Sequence, residues 1–393
     1  MKGIHACTPI WGITYIENYL NYVLPSLLAK NNLPFLRSKK NFTYTIYTFS
    51  EYKKIILHSK NFSNLKKVCT THINTSFLEK YKSKSANYKD HEQNIKLANF
   101  CYSDCIKFAN KKNFAFFWIP PDCIHAENNF KNFYDYIVKG YRVVYVPGGL
   151  RVSLMKIKNN LKKFIFKDGT LKISSKNLVN LSVKNIYPKH ARSVFYNYIK
   201  TSFQFETFWP VKTIGILVRT IVGQNSIFIY PRTKKNYIYK NISIEASSYI
   251  DKCVTSGSEI AYISDSNLYY ACPIENYNYI SKNYSIFKVS KKNFFFNKPN
   301  KIAMALNMID YIKCKSIKNF ICKPIRYRID FGTMSDDNKW LEIEKKTDYY
   351  SKKIYAIFKF LNKYKFFKTF AYKIVQVDYK ISSFFSKYII KSN

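Results

Sequence analysis

The sequence predicts an α/β protein with a mostly parallel central sheet flanked by helices and a helical C-terminal region. Three stretches predict it. The first is Asn113–Ser153. Here an apolar run, Phe114–Ile119, leads to an acidic turn at Asp122, a helical pattern over Glu127–Val138, Gly140, and a second apolar run, Arg142–Val146. Continuous apolar strands separated by a helix mark a parallel βαβ unit, whose strands are covered on both faces. The second is the N-terminus, where residues 3–8 (GIHACT) read as a strand, Pro9–Gly12 as a loop and Ile13–Lys30 as a helix. The third is helical patterning over 299–316 and 338–366, with a polar loop at Gly332–Asn338.

Each element has its own warrant. In Ile13–Lys30 the residues Ile16, Tyr19, Leu20, Val23, Leu24, Leu27 and Leu28 recur every three or four positions and make one apolar stripe. Pro25 lies inside it, so a kink or a break into two helices is expected. Phe42–Phe49 alternates and is rich in β-branched and aromatic residues, which predicts a strand. Glu51–His58 reads as a helix, Lys67–His72 as a third strand, and Ser85–Asn110 as a long helix with Ile95, Ala98, Cys101, Tyr102, Cys105 and Ala109 on its apolar face. Beyond Leu154 the chain is lysine-rich and less regular up to Tyr187, with helix at Ser175–Leu181. Ile227–Tyr230 is a further strand, Ser243–Cys253 a short helix, and Ile260–Ser264 an apolar strand ending at Asp265.

Composition bounds the class. A chain of 393 residues, 47% apolar, can hold one large α/β body plus an appendage, or two domains. The expected division is 1–297 for the body and 298–393 for a helical, basic and aromatic extension packed on it. With 10 Gly, 12 Pro and no repeat, no hinge is expected. The net charge of +41 suits polyanions: nucleic acid, anionic lipid or phosphorylated substrates. Yet Lys, Asn, Ile, Tyr and Phe are over-used together, as A/T-rich codons dictate. The lysines are also dispersed, which argues against a nucleic-acid reader. Nine scattered cysteines in apolar contexts predict reduced, buried thiols in a cytoplasmic protein. Cys101 and Cys105 stand one helical turn apart, a spacing that suits either a shared metal or a core face, and the core face is favoured because no second pair lies near. Ile13–Ala29 is too polar and too short to span a bilayer, and no signal peptide is read. The basic, aromatic tail, 364–393, is expected to cover the body or to dock on the inner face of a membrane. There is no GxGxxG and no GxxxxGK[ST].

Specific residues narrow the class. Trp11-Gly12, Tyr15-Ile16, Leu24-Pro25-Ser26-Leu27-Leu28 and Asn32-Leu33-Pro34 resemble the opening of bacterial GT-A-like glycosyltransferases. The segment FWIPPDCIHAENNFKNFYDYIVKGYRVVYVPGGLRV is similar to their central strand, P-D turn, helix and strand ending G-x-R-V. Later stretches, IYPRTK, SIEASSYID and ISDSNLYY, follow that group's order, so the resemblance spans roughly residues 3 to 345 and is strongest before 155. It implies a GT-A-like, Rossmann-like fold and transfer of a sugar from a nucleotide-sugar donor to a glycan, lipid-linked or protein acceptor.

The resemblance also implies a site. A departing diphosphate needs a divalent cation (Mn²⁺ or Mg²⁺) or equivalent positive charge, and Asp122 takes the last place of the acidic metal-binding triplet. The first acid is absent, the triplet here being Pro120-Pro121-Asp122, and the group's S-I-D and D-S-D read Ser243-Ile244-Glu245 and Asp265-Ser266-Asn267. Glu127, His125 or Asp265 then completes the cation site with Asp122, or Lys/Arg replaces the cation, or activity is lost. Asp122 and Glu127 also suit a helix N-terminus. Asp265 is expected as acceptor base and Glu245 as a second catalytic acid, each against a local structural role. Thr8, Trp11 and Tyr15 surround the first strand-to-helix loop, where a base can stack. Arg151 and His190 are the candidate diphosphate contacts. The rival class is a catalytically degenerate scaffold that serves as a basic binding module for nucleic acid or an anionic membrane surface.

Overall fold

A seven-stranded sheet runs through the middle of the molecule. The computed structural model describes residues 1–82, 91–146, 148–186, 206–211, 214–220, 226–231, 250–276, 302, 305–306, 323–330, 334–364 and 366–376. The sheet is built from β1 (Gly3–Pro9), β2 (Asn41–Tyr47), β3 (Thr70–Asn74), β4 (Phe114–Trp118), β6 (Val143–Tyr145), β10 (Ser226–Ile229) and β11 (Ile260–Tyr262). Their order is β11-β6-β10-β4-β1-β2-β3. The pairs β1–β2, β1–β4, β2–β3 and β6–β11 are parallel, whereas β10 runs against both β4 and β6. The sheet is therefore mostly parallel, as expected. The opening βαβ unit is genuine in direction, but its two strands are held apart by β10, a strand from much later in the chain. β10 fits there because it is apolar on both faces: Phe228 joins one core and Ile229 the other.

The alternation of side chains along each strand assigns the two faces. Ile4, Ala6, Phe42, Tyr44, Ala115, Phe117 and Val144 join a core on one side, and Cys7, Tyr47, Phe116, Val143 and Tyr145 join a core on the other. The first core is covered by α1 (Ile13–Asn18), α2 (Leu24–Leu27), α3 (Leu33–Lys39), α5 (Lys60–Val68), α8 (Asn129–Val138), α9 (Leu154–Leu161) and α10 (Ser175–Lys184). The second is covered by α6 (Ser76–Lys82), α7 (His91–Lys111) and α11 (Met334–Lys363), with α12 (366–376) following α11, while α4 (Ser50–Leu57), after β2, buries Ile56 in the first. The expected helix Ile13–Lys30 is interrupted: a π-helical turn, Tyr19–Val23, precedes α2 and Pro25. Proline offers no N–H to the helical ladder, and a π-turn absorbs the mismatch. Lys67 and Val68 close α5, so the third strand starts later than the sequence suggests, at Thr70.

Two smaller sheets complete the body. β5 (Cys123–His125), β12 (Ala271–Glu275) and β7 (Val152–Ser153) form one, with β12 antiparallel to β5 and parallel to β7. β8 (Glu206–Val211), β9 (Gly215–Thr220) and β13 (Pro324–Arg328) form an antiparallel trio that packs Trp209 and Leu217 on Trp340 of α11. The expected boundary at 297 lies outside the described residues. β13 nonetheless belongs to the expected C-terminal extension and pairs with β9 from the body, so that region is not purely helical. The alternating Pro-Ile-Arg-Tyr-Arg of β13 explains why: Ile325 and Tyr327 point into the core while the arginines take the other face.

Candidate active site

The chain leaves β1 toward β2 on one side and returns to β4 on the other. Ligands of open α/β sheets bind in the crevice that opens at such a switch, beyond the carboxyl ends of the strands. Two connections meet there: the Ile10–Gly12 loop after β1 and the Ile119–Asp122 turn after β4. Gly12 has φ 82°, a left-handed value at which any side chain is strained, so glycine lets the chain turn directly from β1 into α1. The turn after β4 is latched to the end of β1. Ile119 N donates to Cys7 O at 3.2 Å, and Thr8 Oγ1 donates to Ile119 O at 2.9 Å.

Asp122 stands just past this latch. Its backbone oxygen accepts from Ile274 N, which continues the β5–β12 ladder by one residue. Its carboxylate lies 3.6 Å from Arg151 Nη1, and the same nitrogen bonds Glu275 Oε1 at 2.7 Å. Asp122 and Arg151, each from a connection, and Glu275, the last residue of β12, thus share one partly exposed cluster. Burial works against the arginine's charge, but the two carboxylates outweigh it and raise the guanidinium pKa above its usual range. Arg151 is carried by a tightly pinned loop. A Cβ on Gly149 would overlap the Ala271 carbonyl, Leu150 N bonds the Tyr270 hydroxyl at 3.2 Å, and the Tyr327 hydroxyl donates to Gly148 O. Next to Glu275, Asn276 accepts from Asn18 Nδ2 of α1 at 2.8 Å. Tyr15 is one turn earlier on that helix and 53% exposed.

The motif residues of the N-terminal helix build the support. Ser26 Oγ accepts from His125 N at 3.0 Å. Asn32 is fully buried; its Nδ2 reaches Ser26 O and Ala126 O, and its Oδ1 accepts from Phe130 N at 3.1 Å. These bonds fix the strand and helix start that follow Asp122.

Several expected site residues have structural duties. Thr8 is buried, with its hydroxyl on Tyr44 Oη at 2.6 Å as well as on Ile119, so it offers nothing to a nucleotide base. Trp11 turns to the α7 side, bonding Asn94 Oδ1 at 3.0 Å and packing edge-on against Phe49. Glu127 stands in the turn after β5, five residues beyond Asp122, and its N–H bonds Ile173 O. Asp265 sits beyond the opposite end of β12. One of its oxygens accepts from Asn267 N at 3.0 Å, and the other pairs with Arg328 Nε at 2.8 Å. It belongs to a cluster with Arg326, Asp337 and Glu344, not to the Asp122 crevice. His125 is buried on Tyr269 Oη at 3.2 Å, and burial pushes its pKa down to about 3. It is a neutral core histidine. Cys101 and Cys105 face the core beside Cys7, all three buried. Glu245 and His190 lie outside the described residues.

Glu275 was not singled out from the sequence. The signal was present, an acid closing an apolar run, but Pro273 inside Ala271–Glu275 argues against a strand.

Among the described residues, no group of three or more His, Cys, Asp or Glu side chains is placed to hold a metal ion. The two carboxylates of the crevice already flank a guanidinium. This donor set does not fit a divalent-cation clamp.

No family model matches the chain, and no curated protein matches it. Solved structures do show a likeness. TarS of S. aureus is 11% identical with a TM-score of 0.23, over 38% of this chain and 22% of TarS. Mouse xyloside xylosyltransferase 1, in its apo form, is 11% identical with a TM-score of 0.26, over 41% of this chain and 57% of that one. TarS residues 1–349 are 10% identical with a TM-score of 0.24, over 48% of this chain and 68% of that one. The chain thus spans about a fifth of full TarS and under two thirds of the xylosyltransferase.

Proposed function

We propose that the chain is a GT-A-like glycosyltransferase that transfers a sugar from a nucleotide-sugar donor to a glycan, lipid-linked or protein hydroxyl. One observation carries the reading: Asp122 and Arg151 meet beside the switch-point crevice between β1 and β4. The donor's base would lie against α1, where Tyr15 is exposed for stacking. The diphosphate would meet Arg151. In the transfer, the acceptor oxygen bonds the anomeric carbon as the bond from that carbon to the diphosphate breaks. The negative charge that develops on the leaving oxygen is stabilised by a guanidinium that stays protonated. The acceptor's proton passes to a carboxylate of the crevice, for which Asp122 is the candidate. Glu275 holds the arginine fork in place at 2.7 Å. Because the donor set does not fit a cation clamp, no step is routed through a metal.

The test is a thermal-shift and hydrolysis panel of UDP-, GDP- and CMP-sugars, with and without Mn²⁺. One donor should raise the melting temperature and be turned over without Mn²⁺, and Asp122→Ala should abolish turnover with the fold intact. A panel in which no donor acts would overturn the proposal. A donor that stabilises without turnover would point to the degenerate binding scaffold.

A further inference from the structure

The C-terminal helices carry a feature that the transferase reading does not use. Along α11, Trp340, Thr347, Ile354, Phe358 and Leu361 recur at heptad-like spacing and are buried. α12 buries Ala371 and Val375. The other side of this helix pair is apolar too, and open. Phe360, Tyr364 and Phe367 are each nearly half exposed, Phe370 is 60% exposed, and Phe366 is 85% exposed. The rings touch one another: Phe360–Tyr364 centroids are 5.1 Å apart, Phe360–Phe367 5.4 Å and Phe366–Phe367 5.8 Å. At about 100° per residue, Phe366, Phe370, Ile374 and Phe367 fall within an arc of about 100° on α12. Taking about 200 Å² per aromatic side chain, the five rings present roughly 560 Å² of apolar surface, at the upper end of the largest patch on an ordinary monomer, and such patches are often functional.

Charge decides what fits this surface. From Tyr349 to Gln376 the sequence has seven lysines and no acid. Lys363 lies over Tyr364 of the patch at 5.1 Å, and elsewhere on the two helices Lys359 lies over Tyr355 at 4.7 Å and Lys368 over Tyr372 at 5.7 Å. Exposed aromatic rings on a segment rich in lysine and free of acid match the boundary of an anionic bilayer, where rings enter the headgroup region and lysines meet lipid phosphates. A second copy of this chain would bring lysine against lysine. Among the described residues no helix is long and apolar enough to cross a membrane, so the contact is a lateral one. We infer that the α11–α12 face, centred on Phe360, Phe366, Phe367 and Phe370, docks the protein on an anionic lipid surface. The inference stands whether or not the crevice transfers sugar.

The experiment is flotation of the full chain with vesicles of three parts phosphatidylglycerol to seven parts phosphatidylcholine, and with phosphatidylcholine alone. Binding to the anionic vesicles should be at least about tenfold tighter and should weaken from about 0.1 to about 0.5 M NaCl, as screening of several lysines requires. A triple variant, Phe366→Ser with Phe367→Ser and Phe370→Ser, should lose at least about tenfold in partitioning, with its far-UV spectrum unchanged because those rings are exposed. A second variant, Lys359→Gln with Lys363→Gln, Lys368→Gln and Lys373→Gln, should bind both vesicle types alike. Failure of the wild type to float with anionic vesicles overturns the inference, as does equal binding by the triple variant. So does light scattering that shows a dimer abolished by the serine changes, or RNA binding that shares their sensitivity, when vesicles are not bound.

Discussion

Replacing Arg151 tests the crevice most directly. Arg151→Met keeps the aliphatic stem and removes the guanidinium from between Glu275, at 2.7 Å, and Asp122, at 3.6 Å. A charge-assisted hydrogen bond contributes about 1.5–3 kcal/mol when buried. A third of the arginine side chain is exposed, and solvent screening brings this to about 1–2 kcal/mol. The longer Asp122 contact adds about 0.5 kcal/mol. Urea unfolding at pH 7.5 should therefore show Arg151→Met less stable by about 2 kcal/mol. Glu275→Gln should lose a similar amount, and the double variant should reveal a coupling of about 1–2 kcal/mol. A coupling below about 0.5 kcal/mol would mean that the pair does not hold the loop in solution. On a donor that the wild type turns over, Arg151→Met should lower kcat by about 10²–10³, the cost of removing one preorganised donor to a developing anion. Arg151→Lys keeps the charge, loses the planar fork and should fall in between. A folded Arg151→Met protein with wild-type turnover would remove this residue from the chemistry.

Two further outcomes follow from buried groups. His125 has its pKa pushed down to about 3, while in the unfolded chain it titrates near 6.5. Between those values the unfolded state takes a proton that the folded state refuses, so stability falls as the pH drops below about 6.5. The loss reaches about 2 kcal/mol at pH 5. The difference in urea-unfolding free energy between pH 7.5 and pH 5 should narrow by that amount in His125→Phe, and an unchanged difference would show that the imidazole is not held neutral. Gly149 and Gly148 make a matched pair: a Cβ at Gly149 meets the Ala271 carbonyl, while one at Gly148 meets nothing within 4 Å. Thermal melts should place Gly149→Ala about 1–3 kcal/mol below wild type and Gly148→Ala within about 0.5 kcal/mol of it; equal effects would contradict the close packing of this loop on β12.

Much of the body was legible because its signals are local. The apolar runs of β1, β2, β4, β6 and β11 are long enough to name a strand, and the stripe through Ile16, Tyr19 and Leu20 names a helix. Pro25 marked the place where that helix breaks. Less was legible where an element depends on distant neighbours. Cys123–His125 is a strand only because Ala271–Pro273 lies beside it. Pro273 hid the strand that ends at Glu275. Thr8 looked available for a ligand because nothing local shows that Tyr44 and Ile119 take its hydroxyl. Asp265 carried the same strand-end signature as Asp122, yet Arg328, from a strand far along the chain, takes one of its carboxylate oxygens.

The sequence by itself determined the α/β class, the crossing from β1 into α1 at Gly12, and the position of an acid after the central strand. These follow from periodicity and from spacing along a few residues. Only the tertiary structure decided that β10 separates β4 from β6, and that Asp122 meets Arg151 and Glu275. Those pairings are set by strand register between segments far apart in the chain, and register is chosen by which faces can be buried together.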